Sequence, residues 1–285
     1  MAPRPSARPS CQEHVSGSHR FLVLGAGSAL VRAGLGCSGY ALVRPNGRVL
    51  LVDCGPGTLR SLAACGHTLE LVDAVLLSHE HADHVADLVH LLFARRNPRL
   101  ATAPALEIVG PSGTRDLVDR ALAFLGRDAL PSGTTVRELD ARAPGSDALG
   151  GVRFEFTPTG HTDTALAYAF DVGGARLVYS GDCGDERRLA ALARDAELLV
   201  CECSSSDDAP LDGHLTPSAV ARLAAAARPR HVLLTHFYPE LEPAAAVHAV
   251  RAAWPGEVAA ACDGLGLFVE SGRLRGWRSA VTHGY

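Results

Sequence analysis

No apolar run in this 285-residue chain approaches the length needed to cross a bilayer, which excludes a membrane-spanning helix. The first 19 residues, MAPRPSARPSCQEHVSGSH, are rich in Pro, Ser and Arg and hold no apolar h-region. They read as a disordered tail rather than a secretory signal, and His14 and His19 in it are assigned no function. A large charge of one sign is also missing. The formal net charge is −4, which argues against a broad nucleic-acid-binding surface. The eight cysteines fall at irregular positions with no CxxC pair, since a single residue separates Cys201 from Cys203. They are expected to be buried thiols, Cys54 and Cys183 among them, in a reducing, cytoplasmic compartment. After Gly25-Ala26-Gly27 the third glycine of a dinucleotide fingerprint is absent and no helix follows, so a tight turn is expected there.

What is present is a globular pattern, with 47% hydrophobic and 20% charged residues. Short apolar runs predict strands over 21–24, 40–43, 49–52, 74–77, 106–109, 152–156, 166–170, 177–179, 198–200, 232–234, 258–261 and 267–270. Helices are expected over 58–65, 84–94, 112–125, 186–193, 217–227 and 243–254. Pro217 and Pro243 suit first-turn positions, with Thr216 as an N-cap. Residues 142–151 read as a loop too short to separate domains. The expectation is one domain over residues 20–285 after a tail of residues 1–19.

The densest chemistry lies at residues 78–84, Ser-His-Glu-His-Ala-Asp-His, directly after the apolar stretch 72–77. Imidazoles and a carboxylate crowded at the end of a buried strand are poorly explained by packing. Neutral imidazole and carboxylate are standard ligands of Zn²⁺, and four of them could serve two adjacent ions.

His79-x-His81-x-Asp83-His84 resembles the HxHxDH signature of the metallo-β-lactamase-fold hydrolases. Four further motifs follow the same family's order, each at a strand end: Asp53 before Gly55-Pro56-Gly57, His161 in Thr159-Gly160-His161, Asp182 in Ser180-Gly181-Asp182, and His236 in Leu234-Thr235-His236. Taken singly, His161 or His236 would pass for an ordinary hydrogen-bonded histidine; in this company they do not. The resemblance covers roughly residues 20–270. It implies an α/β fold, a four-layer αββα sandwich of two mixed β-sheets flanked by helices. It further implies that His79, His81 and His161 bind one metal, that Asp83, His84 and His236 bind a second, and that Asp182 bridges them. The implied cofactor is two Zn²⁺, with Mn²⁺ or Fe²⁺ as alternatives, sharing a water whose pKa falls to about 7. Asp83 would aim the resulting hydroxide, and Asp53 would fix the tautomer of a ligand imidazole.

Two identities narrow the class. His81 stands where the oxygen-reducing di-iron branch typically has glutamate, and Asp182 stands where β-lactamases typically use cysteine. Glu202 at a strand end, the His214-Leu215-Thr216 motif and His236-Phe237 resemble the ribonuclease Z group. On that pattern Glu202 holds His214, which protonates the leaving oxygen as general acid. Three features depart from a tRNA-processing enzyme: only 20 residues lie between His161 and Asp182, where that group carries a long arm; Glu240 replaces its usual arginine; and the net charge is acidic. Arg95, Arg96 and Arg99 read as a charged helix end rather than a phosphate contact. The expectation is a cytoplasmic dinuclear zinc hydrolase of a small or cyclic, nucleotide-like phosphodiester. Contact with a membrane or a large RNA is not expected, and a homodimer is left open. A thioesterase or lactonase using the same hydroxide is the alternative. A non-catalytic scaffold would need missing ligands, and none is missing.

Overall fold

The computed structural model describes residues 17–277, so most of the expected tail, residues 1–16, lies outside the described residues. The chain builds one sheet, crosses to a second, and returns. The first sheet takes β1 (His19–Gly25), β2 (Gly39–Val43), β3 (Val49–Cys54), β4 (Val72–Leu76), β5 (Leu106–Pro111) and β6 (Thr134–Leu139). The second takes β7 (Gly145–Leu149), β8 (Val152–Pro158), β9 (Leu166–Val172), β10 (Ala175–Tyr179), β11 (Leu198–Glu202), β12 (His231–Thr235) and β13 (Glu257–Ala260). Strands β14 (Gly266–Glu270) and β15 (Arg273–Arg275) then close the far edge of the first sheet beside β1. Both sheets are mixed. Strands β3 to β6 run parallel in one and β10 to β13 parallel in the other.

Nearly continuous burial along β1 to β3 and β9 to β12 shows strands covered on both faces, by the facing sheet on one side and by helices on the other. The inner faces meet in one apolar layer that includes Phe21, Val23, Leu50, Phe154, Phe170, Leu198 and Leu233. Helices α1 (Thr58–Ala64), α2 (Ala82–Val85), α3 (Asp87–Ala94) and α4 (Thr114–Phe124) lie in the first half of the chain. Leu62, Leu88, Leu91, Val118 and Leu122 from α1, α3 and α4 cover the outer face of the first sheet. Helices α5 (Glu186–Leu192), α6 (Pro217–Ala227) and α7 (Pro243–Ala253) cover the second, burying Leu189, Val220, Leu223 and Val250. This is the αββα sandwich. Thr216 caps α6, its hydroxyl accepting from the Ala219 N–H at 3.5 Å.

Three tyrosines stitch the sheets together at one end. Tyr40 shares a 2.6 Å hydrogen bond with the Thr235 hydroxyl, Tyr168 donates to the Leu77 carbonyl at 2.6 Å, and Tyr179 donates to Asp53 at 2.7 Å. Each pairs a residue of one sheet with one of the other, so the carboxyl ends of β3, β4, β10 and β12 are held in one place. Open α/β sheets bind their ligands outside the carboxyl ends of parallel strands.

Several sequence expectations change. His19, assigned to the tail, begins β1 and pairs with Val269. Residues 142–151 contain β7, not only a loop. Its polar sequence Gly-Ser-Asp-Ala-Leu sits at a sheet edge, where burial leaves no apolar alternation to read. The Gly150-Gly151 pair, with φ of 56° and 78°, makes the two-residue turn into β8. The expected 84–94 helix divides into α2 and α3, and β6 and β15 were not foreseen. Six cysteines are free among the described residues, but Cys65 is disulfide-bonded, against the expectation of thiols throughout. The tight turn expected at Gly25–Gly27 is absent: residues 26–38 join β1 to β2, and Gly25 instead admits the Cys37 carbonyl, which a Cβ there would meet at 1.9 Å. Arg95 and Arg96 donate to the carbonyls of Pro104 and Ala129, which commits both guanidinium groups to loop backbone. No helix among the described residues is long and apolar enough to cross a membrane.

Candidate metal centre

The loop after β4 turns immediately past the buried Leu77 and presents His79 and His81, and the short helix α2 that follows presents Asp83 and His84. His161 follows β8, Asp182 follows β10, and His236 follows β12. Gly181 has φ of 54° and sits so close to the Leu166 carbonyl and Ser78 that a side chain would force a shift. That tight turn delivers the next residue, Asp182, inward. His236 and Asp53 themselves hold left-handed φ values of 60° and 56°, a strained state that persists where surrounding contacts over-determine it.

These side chains converge. One ligand atom from each of His79, His81, His161 and Asp182 forms a group lying within 4.8 Å of one another, and Asp83, His84 and His236 form a second such group. Asp182 joins them. Its Oδ2 lies 3.7 Å from His79 Nε2 and 3.6 Å from His161 Nε2, while its Oδ1 lies 3.3 Å from His84 Nε2 and 3.4 Å from His236 Nε2. Asp83 Oδ2 stands 3.3 Å from His236 Nε2. His81 is exposed and the rest buried or half-buried, so the cluster opens to solvent on the His81 side.

The donor set fits divalent cations. His79 Nε2 and Asp182 Oδ1 are buried yet have no hydrogen-bond partner among the described residues. Buried polar atoms left unpaired are rare, and a bound ion is one of the few things that satisfies them. The imidazoles are also held from behind so that their Nε2 atoms face the centre. Asp53 accepts His84 Nδ1–H at 2.7 Å, and the Gly213 carbonyl accepts His161 Nδ1–H at 2.8 Å. Ser78 donates its hydroxyl to Asp53 at 2.7 Å and accepts from His79 Nδ1 at 3.0 Å. Such outer contacts fix the tautomer that leaves a lone pair for metal.

The buried carboxylates make this a centre that favours positive charge. Burial opposes charge on His84, yet the Asp182 and Asp53 carboxylates hold its pKa well above the usual histidine range. Burial likewise opposes charge on Asp182, but His236 and His84 keep it well below the usual carboxylate range. His79 goes the other way: burial and the adjacent His84 hold it well below the normal value, as a neutral ligand.

Asp53 serves four donors at once: the Ser78 amide and hydroxyl, the Tyr179 phenol and His84 Nδ1. Asp53→Ala would strand all of them in the interior. We expect a loss of about 3 kcal/mol or more in urea unfolding of the metal-free protein. Parental stability in that variant would contradict the account of this residue.

His214 follows a loop after β11. Its Nδ1 lies 3.1 Å from Glu202 Oε2, and its ring packs at 4.7 Å from His161 and 5.4 Å from His236. The structure thus brings together every residue singled out from the sequence. What the sequence reading missed is the layer behind them: Ser78, Ser204, Tyr179 and the Gly213 carbonyl. Ser204 had one usable signal, because it lies two residues beyond Glu202, on the same face if the strand alternation continues.

Residues 48–237 match the family described as the Beta-lactamase superfamily domain. An uncharacterized protein of Mycobacterium leprae (strain TN) is 33% identical over 259 residues, covering 86% of this chain and 87% of that protein. The ribonuclease Z of Mycobacterium sp. (strain KMS) is 32% identical over 225 residues, covering 71% of this chain and 78% of that enzyme. Among solved structures, the metallo-beta-lactamase fold protein YhfI from Bacillus subtilis superposes with a TM-score of 0.74 at 26% identity, covering 88% of this chain and 100% of that one. With its two sheets, its converging histidines and aspartates and these relatives, the chain belongs to the metallo-β-lactamase superfamily as a metal-dependent hydrolase near ribonuclease Z.

Proposed function

We propose that this hydrolase is dinuclear and cleaves a small or cyclic phosphodiester. In this reading His79, His81 and His161 hold one ion, Asp83, His84 and His236 hold the other, and Asp182 serves both. Zn²⁺ suits this imidazole-rich set, with Mn²⁺ or Fe²⁺ as alternatives. When bound, such a pair supplies Lewis acidity and water with a pKa lowered to about 7. The remaining work falls to side chains. Asp83 accepts a hydrogen bond from the attacking water and aims it. Glu202 holds His214 through Nδ1, so that Nε2–H is free to donate its proton to the departing oxygen.

The observation that carries the phosphodiester reading is the Glu202–His214 pair standing against the metal cluster, with His214 Nδ1 4.0 Å from Asp182 Oδ2. Burial opposes charge on His214, but its hydrogen bond to the Glu202 carboxylate raises its pKa above the ordinary value, which favours the acid form. An alkoxide leaving group needs a proton; a thiolate leaving a thioester needs one far less. Small size of the substrate is supported by the span between His161 and Asp182, which is taken up largely by β9 and β10 within the sheet. It offers no protruding arm to grip a folded RNA. The expected cytoplasmic location belongs to the same proposal; six free cysteines suit it, and the disulfide at Cys65 does not.

An activity screen tests the reading. Zinc-loaded protein should hydrolyse bis(p-nitrophenyl) phosphate and cyclic nucleotides, with thioesters, lactones and a cephalosporin turned over poorly. Turnover confined to the carbonyl compounds would overturn it in favour of a thioesterase or lactonase.

A further inference from the structure

Behind His236 and His214 sits a single hydroxyl that touches both of their supports. Ser204, fully buried, donates its one proton to Glu202 Oε2. The Glu202 carboxylate can only accept, so the direction of that bond follows from the chemistry. The Ser204 oxygen then has lone pairs left, and His236 Nδ1 lies 2.9 Å away. His236 must donate to it, which places a ring proton on Nδ1 and turns Nε2 toward Asp83 and Asp182 at 3.3 and 3.4 Å, where a metal would take its lone pair. On the other side the same Glu202 Oε2 accepts from His214 Nδ1 at 3.1 Å, and Ser204 Oγ is 3.3 Å from that nitrogen. Glu202 Oε1 is anchored separately by the Cys183 amide at 2.6 Å, and the Glu202 amide by the Ser180 hydroxyl at 2.9 Å. The carboxylate therefore cannot swing to follow one histidine and abandon the other.

Ser78 supports His79 and donates to Asp53 in the same manner, but Asp53 serves only the metal side and the Tyr179 strut. Ser204 differs in that its carboxylate also holds the residue read above as general acid. We propose that Ser204 is a positioning residue that sets the His236 tautomer for metal and locks that ligand in register with the Glu202–His214 pair. One hydrogen-bonded chain, His236 to Ser204 to Glu202 to His214, then fixes the distance between the metal side and the proton donor. The inference rests on the proposed roles of His236 and His214.

Two measurements on Ser204→Ala test it. Zinc affinity is read first by competition with a chromogenic chelator, which involves no substrate. We expect the weaker-held equivalent to lose affinity by about 10- to 100-fold, the usual effect of removing a partner of a ligand imidazole. Parental affinity would overturn the proposal. At saturating zinc, the ratio of turnover on bis(p-nitrophenyl) phosphate to turnover on a cyclic nucleotide is read second. It should rise, because only the alkoxide leaving group depends on a correctly placed His214. A ratio equal to the parent's would overturn the coupling to His214, since a purely structural defect would slow both substrates alike. His236→Ala serves as reference. If it too keeps both zinc equivalents, the metal assignment fails, whereas loss in His236→Ala with none in Ser204→Ala defeats the Ser204 proposal alone.

Discussion

Asp182→Asn should lower kcat/KM by about 10³-fold or more, a loss of about 4 kcal/mol of transition-state stabilisation. The size follows from position. Asp182 is buried, and its two oxygens reach five imidazoles at distances from 3.3 to 4.0 Å. Among the described residues, no other carboxylate touches both candidate ligand groups. An asparagine keeps the volume, but it replaces a charge that the two ions would share with a neutral amide, one end of which offers hydrogens instead of lone pairs. At least one equivalent of metal should be lost with the activity. Measuring metal content and turnover on the same preparation tests this. A variant that keeps both ions and activity within tenfold of the parent would remove Asp182 from its bridging role.

His214→Ala carries the second large effect, and its signature is selective. General acid catalysis contributes about 10²- to 10⁴-fold when the leaving group is a poor one. We therefore expect that range of loss in kcat on a cyclic nucleotide, whose departing oxygen is an alkoxide. On bis(p-nitrophenyl) phosphate, where p-nitrophenolate leaves without help, the loss should be several-fold at most. Metal content should stay near the parental value, because Ser204 and Glu202, which His214 shares with His236, remain bonded to each other and to the His236 ring without it. Equal losses on the two substrates would show that His214 acts by packing against His161 and His236 rather than by giving up a proton.

The candidate ligands were legible in the sequence because their chemistry has few other uses. Three imidazoles and an aspartate in one turn after a buried strand point to metal with no three-dimensional knowledge, and the distant His161, Asp182 and His236 gained meaning from that segment. Even the exposed His81 was readable from spacing alone. The supports were not. A serine suits almost any site, and the value of Ser78 or Ser204 lies in standing between a carboxylate and an imidazole drawn from different elements. Tyr179 read as the apolar end of a strand, whereas its hydroxyl crosses the sandwich to Asp53. The same holds for the fold. Strands buried on both faces, such as β3 and β11, announced themselves through continuous apolar runs. Edge strand β7 did not, because pairing on one side and solvent on the other place no demand on its side chains, and its register comes from the Gly150-Gly151 turn. Legibility tracked how narrowly physics restricts the residue at each place.

Elemental analysis of the purified protein, after removal of loosely held ions, tests the central claim most directly. Two equivalents of a zinc-class divalent ion per chain, with hydrolysis lost on chelation and regained on adding zinc back, is the predicted result. A preparation that hydrolyses its substrate with no bound metal, undisturbed by chelator, would contradict it.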